Sequence, residues 1–193
     1  MKRFLILFIL AVLQLGNAGN VLASASNITS KDAKGLIQKR AEETIQVLKD
    51  KDFRHLARLV HPDKGLRLSQ YSFLWKEGVV LRHREITKLP LNQKKFLNVL
   101  LGESGNGEDL NFNEFYKRYI FDHDYSKAPE VNFNQTIPRG SEGNNLSVFF
   151  PESIIVEYHF SGFDPKREGM DWKSLYLLIL GQKCGIKTAV VGE

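Results

Sequence analysis

The apolar residues of this chain change their period partway along, and that change constrains the fold more than any other feature. Ala33, Leu36, Ile37, Ala41, Ile45 and Leu48 recur at helical spacing on one face, with Lys39, Glu42, Glu43 and Lys49 on the other. Thr29 to Asp32 has the form of a helix start. The run "KDKD" (49–52) breaks this helix, and Asp52 is placed to cap a second one carrying Phe53, Leu56, Ala57 and Val60. His61 precedes Pro62, and a residue before proline is pushed out of the helical region. The second helix should therefore stop there, with Pro62 in a turn and Gly65 in a left-handed position.

Beyond Gly65 the period shortens. Residues 66–75 read as a strand and "VVL" (79–81) as another, while "RHR" (82–84) reads as a solvated strand end. "LNQKKFLNVLL" (91–101) leans helical and 102–109 is a loop. Asn111 can cap a third helix with Phe112, Phe115, Tyr116, Tyr119 and Ile120 on one face. Residues 122–146 are polar with scattered Gly and Pro, and read as a long excursion. "SIIVEYHF" (153–160), "WKSLYLLIL" (172–180) and "GIKTAVV" (185–191) are strands, the first two rich in β-branched and aromatic residues. Helices first and a strand meander last predict an α+β domain, with helices packed on one face of a curved antiparallel sheet.

The first residues read as an export signal. Lys2 and Arg3 precede the near-apolar run 4–15, which is short for a bilayer span, and "ASA" (23–25) offers a cleavage site. Cleavage after Ala18 and retention as an uncleaved anchor are the alternatives; membrane association is expected only through this segment if it is kept. Removing residues 1–25 from the 193 leaves 168, enough for one domain over 26–193, and takes the formal charge from +5 to +3. That mild, dispersed excess argues against nucleic acid as a partner. The only cysteine, Cys184, permits no internal disulfide; it reads as a turn residue, and no cysteine follows the apolar run as a lipoprotein would need.

Two motifs carry a resemblance. His-Pro-x-Lys-Gly-x-Arg-x-Ser-x-Tyr, here His61 to Tyr71, and Gly-Met-Asp-Trp-x-Ser-Leu, here Gly169 to Leu175, resemble elements of a family of exported bacterial proteins, many of them lipoproteins. The similarity extends over most of the mature chain, and no catalytic role is attached to either motif. The helix–helix–strand opening resembles the NTF2-like, or SnoaL-like, cone fold, which hosts both enzymes and binding domains. The chain departs from the family in lacking the lipoprotein cysteine and in ending on "KCGIKTAVVGE", where an aromatic-rich strand is expected.

Several residues are candidates for chemistry, each with a structural alternative. His61 could act as a general base, or simply end its helix. Arg67, Ser69 and Tyr71 would share one strand face and could grip an anionic or sugar-like ligand; alternatively Arg67 pairs with a carboxylate and Tyr71 packs under a helix. Glu157 and His159 share a face, as a base and its orienting carboxylate would, although alternation on a sheet with one wet face gives the same pattern. Asp171 could fix its loop or meet Arg67 across the sheet, and Trp172 could wall a core or a ligand pocket. No zinc spacing, calcium loop, phosphate loop or nucleophile elbow is present, and no cofactor is expected.

These residues point first to non-enzymatic binding of a small molecule or an envelope protein in a cavity between helices and sheet. The alternative is a small acid–base enzyme of the isomerase or hydratase kind, using His61 or His159 with Asp171 or Glu157. Neither the ligand nor the oligomeric state is encoded in any motif.

Overall fold

β-Branched and aromatic residues build the centre of a five-stranded sheet in the order β1 (Arg67–Leu68), β5 (Gly185–Gly192), β4 (Lys173–Gln182), β3 (Ser153–Phe160), β2 (Glu130–Phe133). The computed structural model describes residues 30–69, 72–74, 76, 80–91, 95, 110–135, 137, 144–182 and 185–192. Residues 1–29, read above as carrying an export signal, Tyr71, Cys184, residues 102–109, read above as a loop, and nearly all of the segment 91–101 lie outside them. β3 (Ser153–Phe160), β4 (Lys173–Gln182) and β5 (Gly185–Gly192) form the expected antiparallel meander. The β4–β5 register shifts between Leu177 and Ile179.

Both edges of the sheet differ from the sequence reading. β1 is only Arg67–Leu68, and it runs parallel to β5, with Arg67 opposite Val190. Of the segment 79–81, Leu81 makes an isolated antiparallel bridge to Leu66. The excursion 122–146 contributes the other edge, β2 (Glu130–Phe133), antiparallel to β3. Four residues with polar neighbours are too short to display a period, which explains why this strand does not stand out in the sequence.

Helix α1 (Ser30–Lys49) lays Ala41, Ile45 and Leu48 against one sheet face. Helix α2 (Phe53–Leu59) follows directly, its start capped by Asp52, whose carboxylate accepts from the His55 amide at 2.9 Å. The residues 82–84 do not end a strand: Arg82 precedes a short helix, α3 (His83–Ile86). Asn111 caps α4 (Phe112–Phe115) through a reciprocal pair with Glu114, at 3.1 and 2.8 Å. The chain then widens into a π turn, Tyr116–Ile120, where the Phe121 amide reaches back to Tyr116 O at 2.8 Å. Phe53, Phe112 and Tyr116 meet edge-on or tilted at 5.2 to 5.6 Å, joining α2 to α4.

Covering helices are not confined to one face. α1, α2 and α4 bury Val156, Tyr158, Leu175, Leu177 and Ile179. On the opposite face Ile155, Tyr176, Leu178 and Leu180 pack against Leu74, Leu146 and Phe150, where α5 (Leu146–Phe149) lies. Apolar cover on both faces buries polar residues of the central strands, and that alters how those residues must be read.

Candidate functional site

Glu157 and His159 do share a face, but it is the interior one. Their residues are 1 % and 2 % exposed, so the solvent-facing alternation expected for them is overturned. Cross-strand register places Glu157 between Asn132 and Tyr176, and His159 between Glu130 and Ser174. Two neighbouring rows of polar side chains therefore cross three strands on one face. Ser174 Oγ donates to Glu157 Oε1 at 2.8 Å, and the Tyr176 hydroxyl donates to the same oxygen at 2.9 Å. Asn132 Nδ2 donates to Glu157 Oε2 at 3.2 Å and to Glu130 Oε1 at 2.7 Å. His159 Nδ1 lies 2.8 Å from Ser174 Oγ. A carboxylate taken out of water needs such donors, because an unsatisfied buried charge is costly.

Chemically, the chain Glu157–Ser174–His159 is a carboxylate linked to an imidazole through a hydroxyl. It can orient the ring and stabilise its protonated form, as a general base requires. Trp172 stands beside it, its ring 6.1 Å from that of His159. Among the described residues, no group of three or more His, Cys, Asp or Glu side chains is arranged to hold a metal ion.

The other sequence candidates lie elsewhere. His61 Nδ1 accepts from the amides of Asp63 and Lys64, both at 3.2 Å, and so closes the turn that follows α2. Arg82 clamps the same turn through the carbonyls of Pro62 and Asp63. Gly65, at φ 72°, completes it, with its amide bonded to His61 O at 2.8 Å. Arg67 sits over the Phe149 ring at 5.9 Å, and burial draws its guanidinium below the ordinary range. Ser69 is buried. Asp171 serves its own loop: its Oδ2 accepts from the Asp164 amide at 2.8 Å, which with other backbone donors holds its carboxyl below the usual range. Its nearby charge is Arg167, and of the two roles expected for Asp171 the contacts it makes are those of a loop anchor.

A cleft of about 380 Å³ opens on the opposite side of the sheet, between α1 and the β2–β3 edge. Lys34, Gln38, Glu42 and Gln46 form its helical wall, spaced four residues apart. Val131, Phe133 and Tyr158 form the sheet wall. Lys34 Nζ stands 5.7 Å from the Phe133 ring centroid. Tyr158 has no hydrogen-bond partner among the described residues, and burial, then the charge of Glu42, pushes its hydroxyl well above the ordinary range. None of these residues was a sequence candidate. The row on α1 carries the period that could have drawn attention, but nothing local says that a strand ninety residues later will face it.

No family model, curated protein or solved structure matches this chain.

Proposed function

We propose that the chain is an exported domain of NTF2-like architecture that binds a small molecule in the cleft between α1 and the sheet. The observation that carries this reading is the cleft itself. Its volume of about 380 Å³ falls in the range of small-ligand sites, and it joins an apolar wall to a few directed polar groups. The unpartnered Tyr158 hydroxyl supports it, since a polar group at a pocket wall is available to a ligand. Filling the cleft tests the reading. Val131 is 40 % exposed, so Val131→Trp adds bulk at the cleft without burying it in the core. The purified chain should bring a small molecule through native mass spectrometry, and the V131W variant should lose it. Equal retention by both chains would place the ligand elsewhere and overturn the proposal.

The second reading is acid–base catalysis by His159, favoured by its link to Glu157 through Ser174. Its signature would be a turnover that Ser174→Ala lowers while Val131→Trp leaves it intact.

A further inference from the structure

We infer that the cleft between α1 and β2–β3 takes an uncharged saccharide of one or two rings, an assignment that rests on the ligand-binding reading above. The two walls differ in kind. The helical wall is a row of hydrogen-bonding ends: an ammonium at Lys34, amides at Gln38 and Gln46, and a carboxylate at Glu42. The facing wall is the apolar surface of Val131 and the Phe133 ring, with the Tyr158 hydroxyl beside them, and Tyr125, Ser126 and Ala128 also line the cleft. A pyranose has the matching asymmetry, with a face of C–H groups and a rim of hydroxyls that both donate and accept.

The Phe133 ring supplies the stacking surface. Lys34 Nζ over that ring marks a π face accessible to positive charge, and the polarised C–H groups of a sugar face seek the same electrostatics. Lys34 is exposed, so it can move from the ring to a ligand hydroxyl at little cost. Gln38 Nε2 donates to Glu42 Oε1 at 2.8 Å, which orients both groups along the wall. With its titration displaced well above the ordinary range, Tyr158 keeps its proton and offers both a donor and an acceptor.

Charge and backbone geometry disfavour other ligands. Lys34 and Glu42 offset one another, so the wall has no cluster to hold an anion or a cation. An extended peptide would seek main-chain partners. The α1 main chain is satisfied within its helix, and the β2 main chain hydrogen-bonds in the plane of the sheet, while the cleft opens over its face.

Amide-detected NMR titration of the purified, 15N-labelled chain with cellobiose and with N,N′-diacetylchitobiose tests the inference, with octanoate and tetra-alanine as rival probes. A disaccharide should shift the amides of residues 34–46 and 130–133 saturably. Tyr158→Phe and Gln38→Ala should each weaken it about tenfold, the loss of roughly one hydrogen bond. Both variants are conservative or exposed, and retained dispersion of the spectrum confirms their fold. If octanoate or tetra-alanine shifts these amides and neither disaccharide does, the saccharide assignment is wrong while the cleft remains a binding site. If no probe shifts them, both readings fall. Disaccharide binding that neither variant weakens also overturns the assignment.

Discussion

Ser174 Oγ donates its only proton to Glu157 Oε1 at 2.8 Å, and this sets the direction of the next contact in the chain. The serine oxygen can then only accept from His159 Nδ1, also at 2.8 Å, so the imidazole carries its proton on Nδ1. A single hydroxyl on β4 thus satisfies a carboxylate and a ring nitrogen that both lie on β3. Ser174→Ala removes both contacts at a position with no exposure. It should destabilise the fold by about 1–3 kcal/mol, the usual cost of leaving buried polar groups without a partner. Urea unfolding should give a lower midpoint with an unchanged slope. A midpoint equal to the parent's would mean that the hydroxyl holds neither neighbour.

The same reasoning assigns opposite tautomers to two histidines. His61 Nδ1 accepts from the amides of Asp63 and Lys64, so its neutral ring must carry the proton on Nε2. His159 should carry it on Nδ1. Long-range 1H–15N correlation spectra above neutral pH, with the His61 and His159 signals assigned through His61→Gln and His159→Gln, should show opposite tautomers for these two of the five histidines. The same tautomer at both would contradict one of the two networks.

The turn that His61 closes also gives Gly65 a role that no other residue can fill. Its φ of 72° is strained for any side chain, and an added Cβ would lie 2.6 Å from Val80 Cγ1 and 2.8 Å from Leu81 O. The second neighbour is main chain, held by the Leu66–Leu81 bridge, and cannot swing away. Gly65→Ala should therefore destabilise on the order of 2–4 kcal/mol, where the same change at an unstrained glycine would stabilise by about 0.4–1 kcal/mol. Thermal unfolding should register the loss. A variant as stable as the parent would show that the turn relaxes freely.

Local signals in the sequence carried the elements whose partners are close or whose pattern is long. Asp52 and Asn111 cap helices as their positions imply, and 153–160 is a strand because its β-branched residues leave little alternative. Gly65 and Pro62 mark their turn for the same local reason. What was not legible depends on distant packing. Alternation puts Glu157 and His159 on one face but is silent on whether that face is covered. Apolar cover on that side of the sheet includes Leu74, Leu146 and Phe150, which pack on Ile155, Tyr176, Leu178 and Leu180 and which no local pattern ties to these strands. β2 comes from the polar excursion 122–146, and without β2 there is no cleft facing α1. The reading of 66–75 as one strand failed for the converse reason: Arg67, Ser69 and Tyr71 have the period, but after Leu68 the strand ends.

Outside the core, Asp124 should govern part of the acid response. Its Oδ2 accepts from Lys49 Nζ at 2.8 Å and lies 3.6 Å from Lys127 Nζ, while Ser126 donates to Oδ1 at 2.5 Å. The Lys49 hydrogen bond first, then that of Ser126, lowers its carboxyl from an ordinary 3.8 to about 2. A carboxylate whose folded value lies below its unfolded one stabilises the fold above the unfolded value. That contribution fades as pH falls from about 4 through about 2, because the unfolded chain takes up the proton first. Asp124→Asn should therefore be less stable than the parent at pH 7, and the difference should shrink across that window. The partners are partly exposed, so added salt should narrow the gap at pH 7 as well. Urea midpoints of both chains at pH 7, 4 and 2 measure it. A gap that stays constant down to pH 2 would mean that the tie between α1 and the 124–127 turn does not depend on the charge of Asp124.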